Sequence, residues 1–386
     1  MKRLIIVLDG IADRPQPKLL GKTPMEAAKT AALDGLCQNG RKGTVRTIPA
    51  GMEVGSAVAN LGLLGYDAKT SYKGRAVIEA AGAGISIKPD ALYIRCNFVA
   101  LEGRGFERSV MRSYNAHDIE TDEAKPLTRR LNETVFNNGA KLAHIDTFRN
   151  ILIVEKAARI APRLTFAPAH EIIGRKVADY LRGTDAMRPY FEMMQKAYDA
   201  LARDNNTAAN GIWFWGASRA PEIPRRPAGN RVVLAETSLM CGIAALFKID
   251  CVKIPEDNGF EAFLKAKAKA ALEALEKYDS AYIHIQKLDD LSHELEPEKK
   301  MRAIEMIDEH FIHPFFKRLA RPYSAVIVSD HYTFSDSGGH GGEPAPFLLL
   351  GHGSDNLGGR FTERHCRETN FGIDAAALNA IQRGEE

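Results

Sequence analysis

Leu4-Ile-Ile-Val-Leu8 is a short, β-branched, continuously apolar run that ends in Asp9-Gly10. Such a run predicts a strand buried on both faces, with a polar residue delivered at its end. Ala281-Tyr-Ile-His-Ile and Ala325-Val-Ile-Val-Ser repeat the pattern and lead into Asp289 and Asp330. Phe347 to Leu350 predicts a fourth strand. Thr23-Pro-Met-Glu-Ala-Ala-Lys reads as a helix start, with Thr23 as the cap and Pro24 at the first helical position. Phe260 to Glu276 is rich in Ala, Lys, Glu and Leu without Gly or Pro, which predicts a helix. Glu296 to Phe316 predicts another, with Met301, Ile304, Ile307 and Phe311 at three- and four-residue spacing.

Strands alternating with helices at both ends of the chain predict one α/β domain, a mostly parallel sheet covered by helices. The middle differs. Ala91 to Val99 and Arg149 to Glu155 alternate as half-exposed strands do, and Glu120 to Phe136 between them reads as a helix. The expected organisation is therefore a discontinuous domain, 1–84 with 200–386, interrupted by an inserted α+β domain at 85–199.

Composition narrows the function. The 386 residues carry 52 Lys and Arg against 49 Asp and Glu, a net charge of +3. That balance excludes a nucleic-acid partner on bulk electrostatics. The five cysteines (37, 96, 241, 251 and 366) form no CxxC pair and do not read as a disulfide framework, so a reducing cytoplasm is expected. The apolar run at the N-terminus meets Asp9 after five residues, too short for a signal peptide. No stretch approaches the roughly 18 apolar residues of a membrane helix, so no membrane partner is expected.

The candidate chemistry lies where the apolar strands end. Asp289-Asp-Leu-Ser-His293 puts a carboxylate and an imidazole four residues apart, on one face of a helical turn. Asp330-His331 stands at another strand end, and His340 follows in the glycine-rich loop Ser337-Gly-Gly-His-Gly-Gly-Glu-Pro. The carboxyl ends of parallel strands open on one crevice, so these groups can converge there. Mixed Asp and His donors suit Mn, Zn, Fe or Co, and two such clusters make a two-metal site for phosphoryl chemistry. Taken singly, each group has a plainer reading: Asp289 as a helix cap, His340 as a solvated turn residue, Trp213 and Trp215 as core aromatics.

Longer motifs sharpen the choice. Asp9-Gly-Ile-Ala-Asp-Arg-Pro, Gly55-Ser56-Ala-Val-Ala-Asn-Leu-Gly-Leu-Leu-Gly-Tyr-Asp67, Gly74-Arg75, Glu79-Ala-Ala-Gly and Arg95-Cys-Asn-Phe98 occur in order. Asn210-Gly-Ile-Trp-Phe-Trp-Gly216, Asp289 to His293, Asp330-His-Tyr-Thr333 and His340-Gly-Gly-Glu-Pro-Ala-Pro-Phe347 follow. Together they resemble the archaeal-type, cofactor-independent phosphoglycerate mutases of the alkaline phosphatase superfamily, over nearly the whole chain. The resemblance implies an alkaline-phosphatase-like three-layer α/β sandwich with a substrate-binding insert. It implies Ser56 as the nucleophile that becomes phosphoserine. Asp9, Ser56, Asp330 and His331 would hold one divalent ion, and Asp289, His293 and His340 a second, with Mn first and Mg, Zn or Co as alternatives. Arg95, Asn97, His117, Arg149 and His170 match positions near a small phosphorylated hydroxy acid, and no 2,3-bisphosphoglycerate would be required. Without the resemblance, Ser56 reads as a small residue packing beside Gly55.

Four residues depart from the mutase pattern. Ala57 and Asn60 stand where an acidic residue and a histidine are usual, Gln286 where a lysine is, and Asn150 where a histidine is. Lys287 lies one position past the usual lysine. Asn60 resembles a bacterial branch proposed to be a homoserine kinase. The departures are expected where substrate choice or acid/base chemistry is tuned. A homoserine kinase-like phosphotransferase and a metal-dependent phosphatase are therefore the alternative enzymes, and a metal-binding pseudoenzyme the alternative of another class.

Overall fold

A computed structural model describes residues 1–201, 207–222, 230–355 and 358–385. The chain forms two compact units, Met1–Tyr72 with Ile223–Glu386, and Lys73–Glu222. The first begins with β1 (Lys2–Leu8), β2 (Gly40–Arg46) and α1 (Ser56–Leu63). The second holds α2 (Arg75–Gly82), β3 (Leu92–Glu102), β4 (Val110–Ser113), α3 (Thr121–Thr134), β5 (Ala140–Asp146), β6 (Arg149–Val154) and β7 (Gly211–Arg219). The first unit resumes with β8 (Arg231–Ala235), α4 (Ser238–Leu246), β9 (Asp250–Lys253), α5 (Phe260–Lys277), β10 (Ser280–Ile285), α6 (Lys287–His293) and α7 (Pro297–Ile307). It ends with β11 (Tyr323–Val328), the short pair β12 (Tyr332–Thr333) and β13 (His340–Gly341), β14 (Ala345–Leu350), β15 (Gly372–Asp374) and α8 (Ala375–Arg383).

The first unit is built on an eight-stranded sheet in the order β15-β2-β14-β11-β1-β10-β8-β9. Only β14 runs antiparallel to its neighbours; the remaining pairs are parallel, as the apolar runs predict. Leu4, Ile6 and Leu8 of β1 enter a core with Phe263 and Leu264 of α5, Ile304 of α7 and Phe311. Ile5 and Val7 alternate to the other face and are also buried. In register, Val7 lies beside both His284 of β10 and Val328 of β11. Two residues further on, the same register brings Asp9 level with Asp330. Thr23 caps the helix at Pro24–Ala27 and forms a capping box with Glu26.

One expectation needs correction and another refinement. The helix expected over Glu296 to Phe316 is present from Pro297 to Arg318, with a wide π turn at Asp308–Ile312 between α7 and a last α-helical stretch, His313–Arg318. Pro314 has no N–H to continue the α ladder, and the widened turn absorbs the misfit. The strand read as half-exposed over Ala91 to Val99 is buried almost throughout. In β3 the face with the more polar residues carries Tyr93, Arg95 and Asn97, which are covered within the second unit. That unit is an antiparallel five-stranded sheet in which β3 pairs with β4, β6 and β7. Pairing with β3 is what draws β7 into this unit, beyond the span 85–199.

Lys300 of α7 is fully buried and pairs with buried Asp13 at 3.0 Å, while its Nζ also donates to the Thr333 carbonyl at 3.0 Å. Burial lowers its pKa, and Asp13 opposes that shift. Removing one partner leaves an uncompensated buried charge. We expect Lys300→Met to cost about 3–5 kcal/mol in urea denaturation, and a loss below about 1 kcal/mol would contradict this role.

Candidate active site

The convergence read from the strand ends is present in the first unit. Asp9, Asp330 and His331 are fully buried, and Asp289 is nearly so. Gly10 makes the crowding possible. Its φ is +64°, and an added Cβ would run into the Thr333 hydroxyl and approach Asp289 Cα at 3.1 Å. Its N–H donates to Asp330 Oδ1 at 3.2 Å, as does the His331 N–H at 3.0 Å.

Ser56 is the first residue of α1, partly exposed, with Oγ donating to Asp9 Oδ2 at 3.3 Å and lying 3.0 Å from His331 Nε2. His331 Nε2 lies 3.4 Å from Asp330 Oδ2 and 3.5 Å from Asp9 Oδ1. Alongside, Asp289 Oδ2 is 3.3 Å from His293 Nε2 and Asp289 Oδ1 is 3.4 Å from His340 Nε2. The His293 and His340 Nε2 atoms are 3.1 Å apart. The seven expected residues lie in one crevice, but the closest donor groups differ from the expected ones: His331 falls with Asp289 and His340, and Asp9 and Asp330 fall with His284.

These spacings fit divalent cations. Donors about 2.1 Å from one ion are separated by about 3.0 Å in an octahedron and about 3.4 Å in a tetrahedron. Asp9 Oδ1 is buried without a hydrogen-bond partner, as a ligand atom lacking its ion is. Electrostatics agree. Burial, with the charges of Asp330 and Asp289, raises the Asp9 pKa well above the carboxylate range. Burial also raises Asp289, but bonds to His293 and His340 and the charge of His331 outweigh it and bring its pKa down. Asp290 is pushed up to about 6 by burial and by Asp289.

Supporting residues the sequence did not mark hold this arrangement. Thr333 is fully buried; its hydroxyl donates to Asp289 Oδ1 at 2.7 Å and lies 3.1 Å from His331 Nδ1. Thr333 thereby links Asp289 to His331 and fixes the imidazole ring. His284 is fully buried with Nε2 3.1 Å from Asp9 Oδ2, and it forms a second donor group with Asp9 and Asp330. Its signal was available: a histidine within an otherwise apolar buried strand. Buried Lys267 pairs with Glu236 and donates to the His284 carbonyl, and Glu236 accepts from the Gln286 N–H at 2.6 Å.

Residues 37–206 match the profile of the family described as 2,3-bisphosphoglycerate-independent phosphoglycerate mutase. The enzyme of that name from Methanothrix thermoacetophila is 31% identical over 369 residues, covering 92% of this chain and 91% of its own length. The chain belongs to that family. A solved Pyrococcus horikoshii protein has a TM-score of 0.81 at 25% identity, covering 100% of this chain and 97% of its own. The cofactor-independent phosphoglycerate mutase of Thermoplasma acidophilum shares the fold, with a TM-score of 0.67 at 20% identity over 100% and 99% of the two chains.

Two of the residues singled out in the sequence, Asn60 and Gln286, bond the site carboxylates directly. Asn60 is fully buried; its Nδ2 donates to Asp330 Oδ2 at 3.0 Å and to the Ser56 carbonyl at 2.8 Å, and Tyr282 donates to its Oδ1. Gln286 donates to Asp289 Oδ2 at 3.0 Å. Lys287 turns to Glu256 instead, at 3.2 Å. Asn150 is buried inside the second unit, where its Oδ1 meets Thr128 at 3.0 Å and His144 at 3.1 Å. Asn60 and Asn150 are therefore interior, Asn60 directly behind Ser56 and Asp330. Asn60 and Gln286 support carboxylates from behind.

In the second unit Arg95 lies 3.6 Å over the ring of Trp215 and pairs with Glu79 at 3.0 Å. Burial lowers its guanidinium to about 10, so it stays charged at neutral pH. Asn97 accepts from Trp215 Nε1 at 3.0 Å, and the His170 ring stands edge-on to Trp215 at 5.6 Å. Trp213 is core, as expected, but Trp215 is a platform for the arginine. Arg149 is exposed on the strand position facing Asn97 and covers Phe148. His117 is exposed at the centre of three consecutive residues with φ of 51°, 55° and 60°. Arg95, Asn97 and His170 thus form one group, with Arg149 beside it on the sheet and His117 on a separate turn.

The close packing around Gly10 gives a direct check. We expect Gly10→Ala to destabilise the protein by at least about 2 kcal/mol, through the positive φ and the Thr333 overlap. An unchanged thermal midpoint would contradict the geometry.

Proposed function

We propose that this chain interconverts 3-phosphoglycerate and 2-phosphoglycerate through a phosphoryl group carried by Ser56, without 2,3-bisphosphoglycerate. The observation that carries the reading is the Ser56 hydroxyl, 3.0 Å from His331 Nε2 and 3.3 Å from Asp9 Oδ2 in a crevice of carboxylates and imidazoles. Asp9, Ser56, Asp330 and His331 hold one divalent ion, and Asp289, His293 and His340 a second; manganese suits this mixed donor set. Ions held there would neutralise the crowded carboxylates and supply positive charge beside Ser56 Oγ and the phosphoryl oxygens.

The chain's own residues do the rest. Ser56 Oγ gives up its proton and attacks phosphorus, the bond to the C3 oxygen breaks, and that oxygen takes up a proton as glycerate forms. The C2 hydroxyl then gives up its proton and attacks the same phosphorus, and the bond to Oγ breaks; Oγ takes up a proton, returning free Ser56 and 2-phosphoglycerate. Arg95 and Arg149 are suited to the carboxylate and phosphate of the substrate, with Asn97, His117 and His170 as further polar contacts. Water must be kept from phospho-Ser56, or hydrolysis replaces transfer. Five free cysteines support a reducing cytoplasm as the setting. Among the described residues no helix is long and apolar enough to cross a membrane.

An enolase-coupled assay on 3-phosphoglycerate, run beside ATP plus homoserine and a phosphate-release assay, separates the candidate activities. We expect turnover only in the coupled assay. Phosphorylation of homoserine, or phosphate release without isomer exchange, would replace the mutase reading. Ser56→Ala should lower mutase turnover by more than about 10⁴-fold while the circular dichroism spectrum is kept. Exhaustive chelation should silence the enzyme and lower its melting temperature, with Mn restoring both. Activity and melting temperature that survive chelation would overturn the two-ion site.

A further inference from the structure

We infer that Cys241 and Cys251 form a thiol–disulfide site that closes by exchange with a small-molecule disulfide. Their separation of ten residues hides the pair in the sequence, because it fits no CxxC spacing. In the structure Cys241 is half-buried on α4, while Cys251 is exposed on β9. The Cys251 thiol donates to Cys241 Sγ at 2.9 Å. The two sulfurs are already inside van der Waals contact, so modest side-chain rotation completes a bond of about 2.0 Å. Every residue of β9 is exposed, and β9 is the outermost strand beside β8. A bridge would staple this free sheet edge to α4.

The surroundings single out this pair among the five thiols. The hydrogen bond from Cys251 is the largest influence on Cys241; burial opposes it, the charges of Lys253 and Lys267 assist, and the thiol falls to about 7. The same hydrogen bond raises Cys251, so Cys241 is the thiol of the pair that more readily becomes thiolate, the form that attacks disulfides. Cys37, Cys96 and Cys366 are completely buried. Burial pushes the Cys37 thiol up to about 12 and raises those of Cys96 and Cys366 as well. Those three are shielded and protonated.

The exchange balances. Cys241 thiolate attacks one sulfur of the small disulfide, forming a mixed disulfide and expelling one thiolate. Cys251 gives its proton to that thiolate, attacks Cys241 Sγ and expels the second, which is protonated by the proton Cys241 released. Two protein thiols are oxidised to one disulfide, and the small disulfide is reduced to two thiols. Neither cysteine belongs to the proposed mutase machinery, so this inference stands apart from that reading.

Incubating the whole protein with oxidised glutathione, blocking remaining thiols and mapping peptides by mass spectrometry tests it. We expect one intrachain Cys241–Cys251 link, a protein lighter by two hydrogens, a raised melting temperature, and full reversal by dithiothreitol. Cys251→Ser should instead stop at a glutathione adduct on Cys241. Both thiols remaining free to alkylation, a stable adduct without the bridge in the unaltered protein, or Cys251 linking two chains would each overturn the inference.

Discussion

Three carboxylates forced together at the ends of neighbouring parallel strands dominate this structure. Asp9, Asp289 and Asp330 share a crevice with little water, where like charges strongly disfavour joint ionisation. The chain leaves that repulsion partly unanswered: histidines from α6 and the β13 loop stabilise ionised Asp289, while Asp9 keeps a raised pKa and an unpartnered oxygen. A crevice of this kind favours added positive charge. Gly10, Thr333 and the level register of β1 and β11 serve to hold the acidic groups close against their repulsion.

Two buried lysines complete the support. Lys300 joins Asp13 to the Thr333 carbonyl, and Lys267 joins Glu236 to the His284 carbonyl. Each thus fixes a strand end or loop that carries donors, and each costs desolvation that its carboxylate partner offsets. Asn60 and Gln286 act on the carboxylates directly. Ser56 and His340 are less buried than the acids they adjoin, and His293 is partly exposed.

Much of this was legible in the sequence. The apolar runs of β1, β10 and β11 end in or lead to acids, and parallel strands must open those ends on one side, so the crevice followed from periodicity alone. The grouping of donors and the role of Ser56 rested on motif resemblance, because periodicity cannot say which of several acids and imidazoles share one ion. His284 carried a sequence signal, a histidine inside an apolar strand, and Thr333 in the two-residue strand β12 carried none; only the fold sets them against Asp9 and Asp289. Apolar spacing gave the helix across Pro314, but not the π turn at Asp308–Ile312 by which the backbone accommodates that proline. Trp215 looked like core because aromatic residues usually are, and its neighbour Arg95 gave no sequence signal of the stacking.

The central claim is that the crowded acidic crevice exists to make Ser56 a phosphoryl carrier. Rapid acid quenching of the Mn-loaded protein during turnover of 3-phosphoglycerate, followed by peptide mass spectrometry, tests it most directly. The account predicts a phosphoryl group on Ser56 that appears within the first turnover and disappears when substrate is exhausted. Turnover with Ser56 never modified, or with the phosphoryl group trapped on another residue, would contradict it.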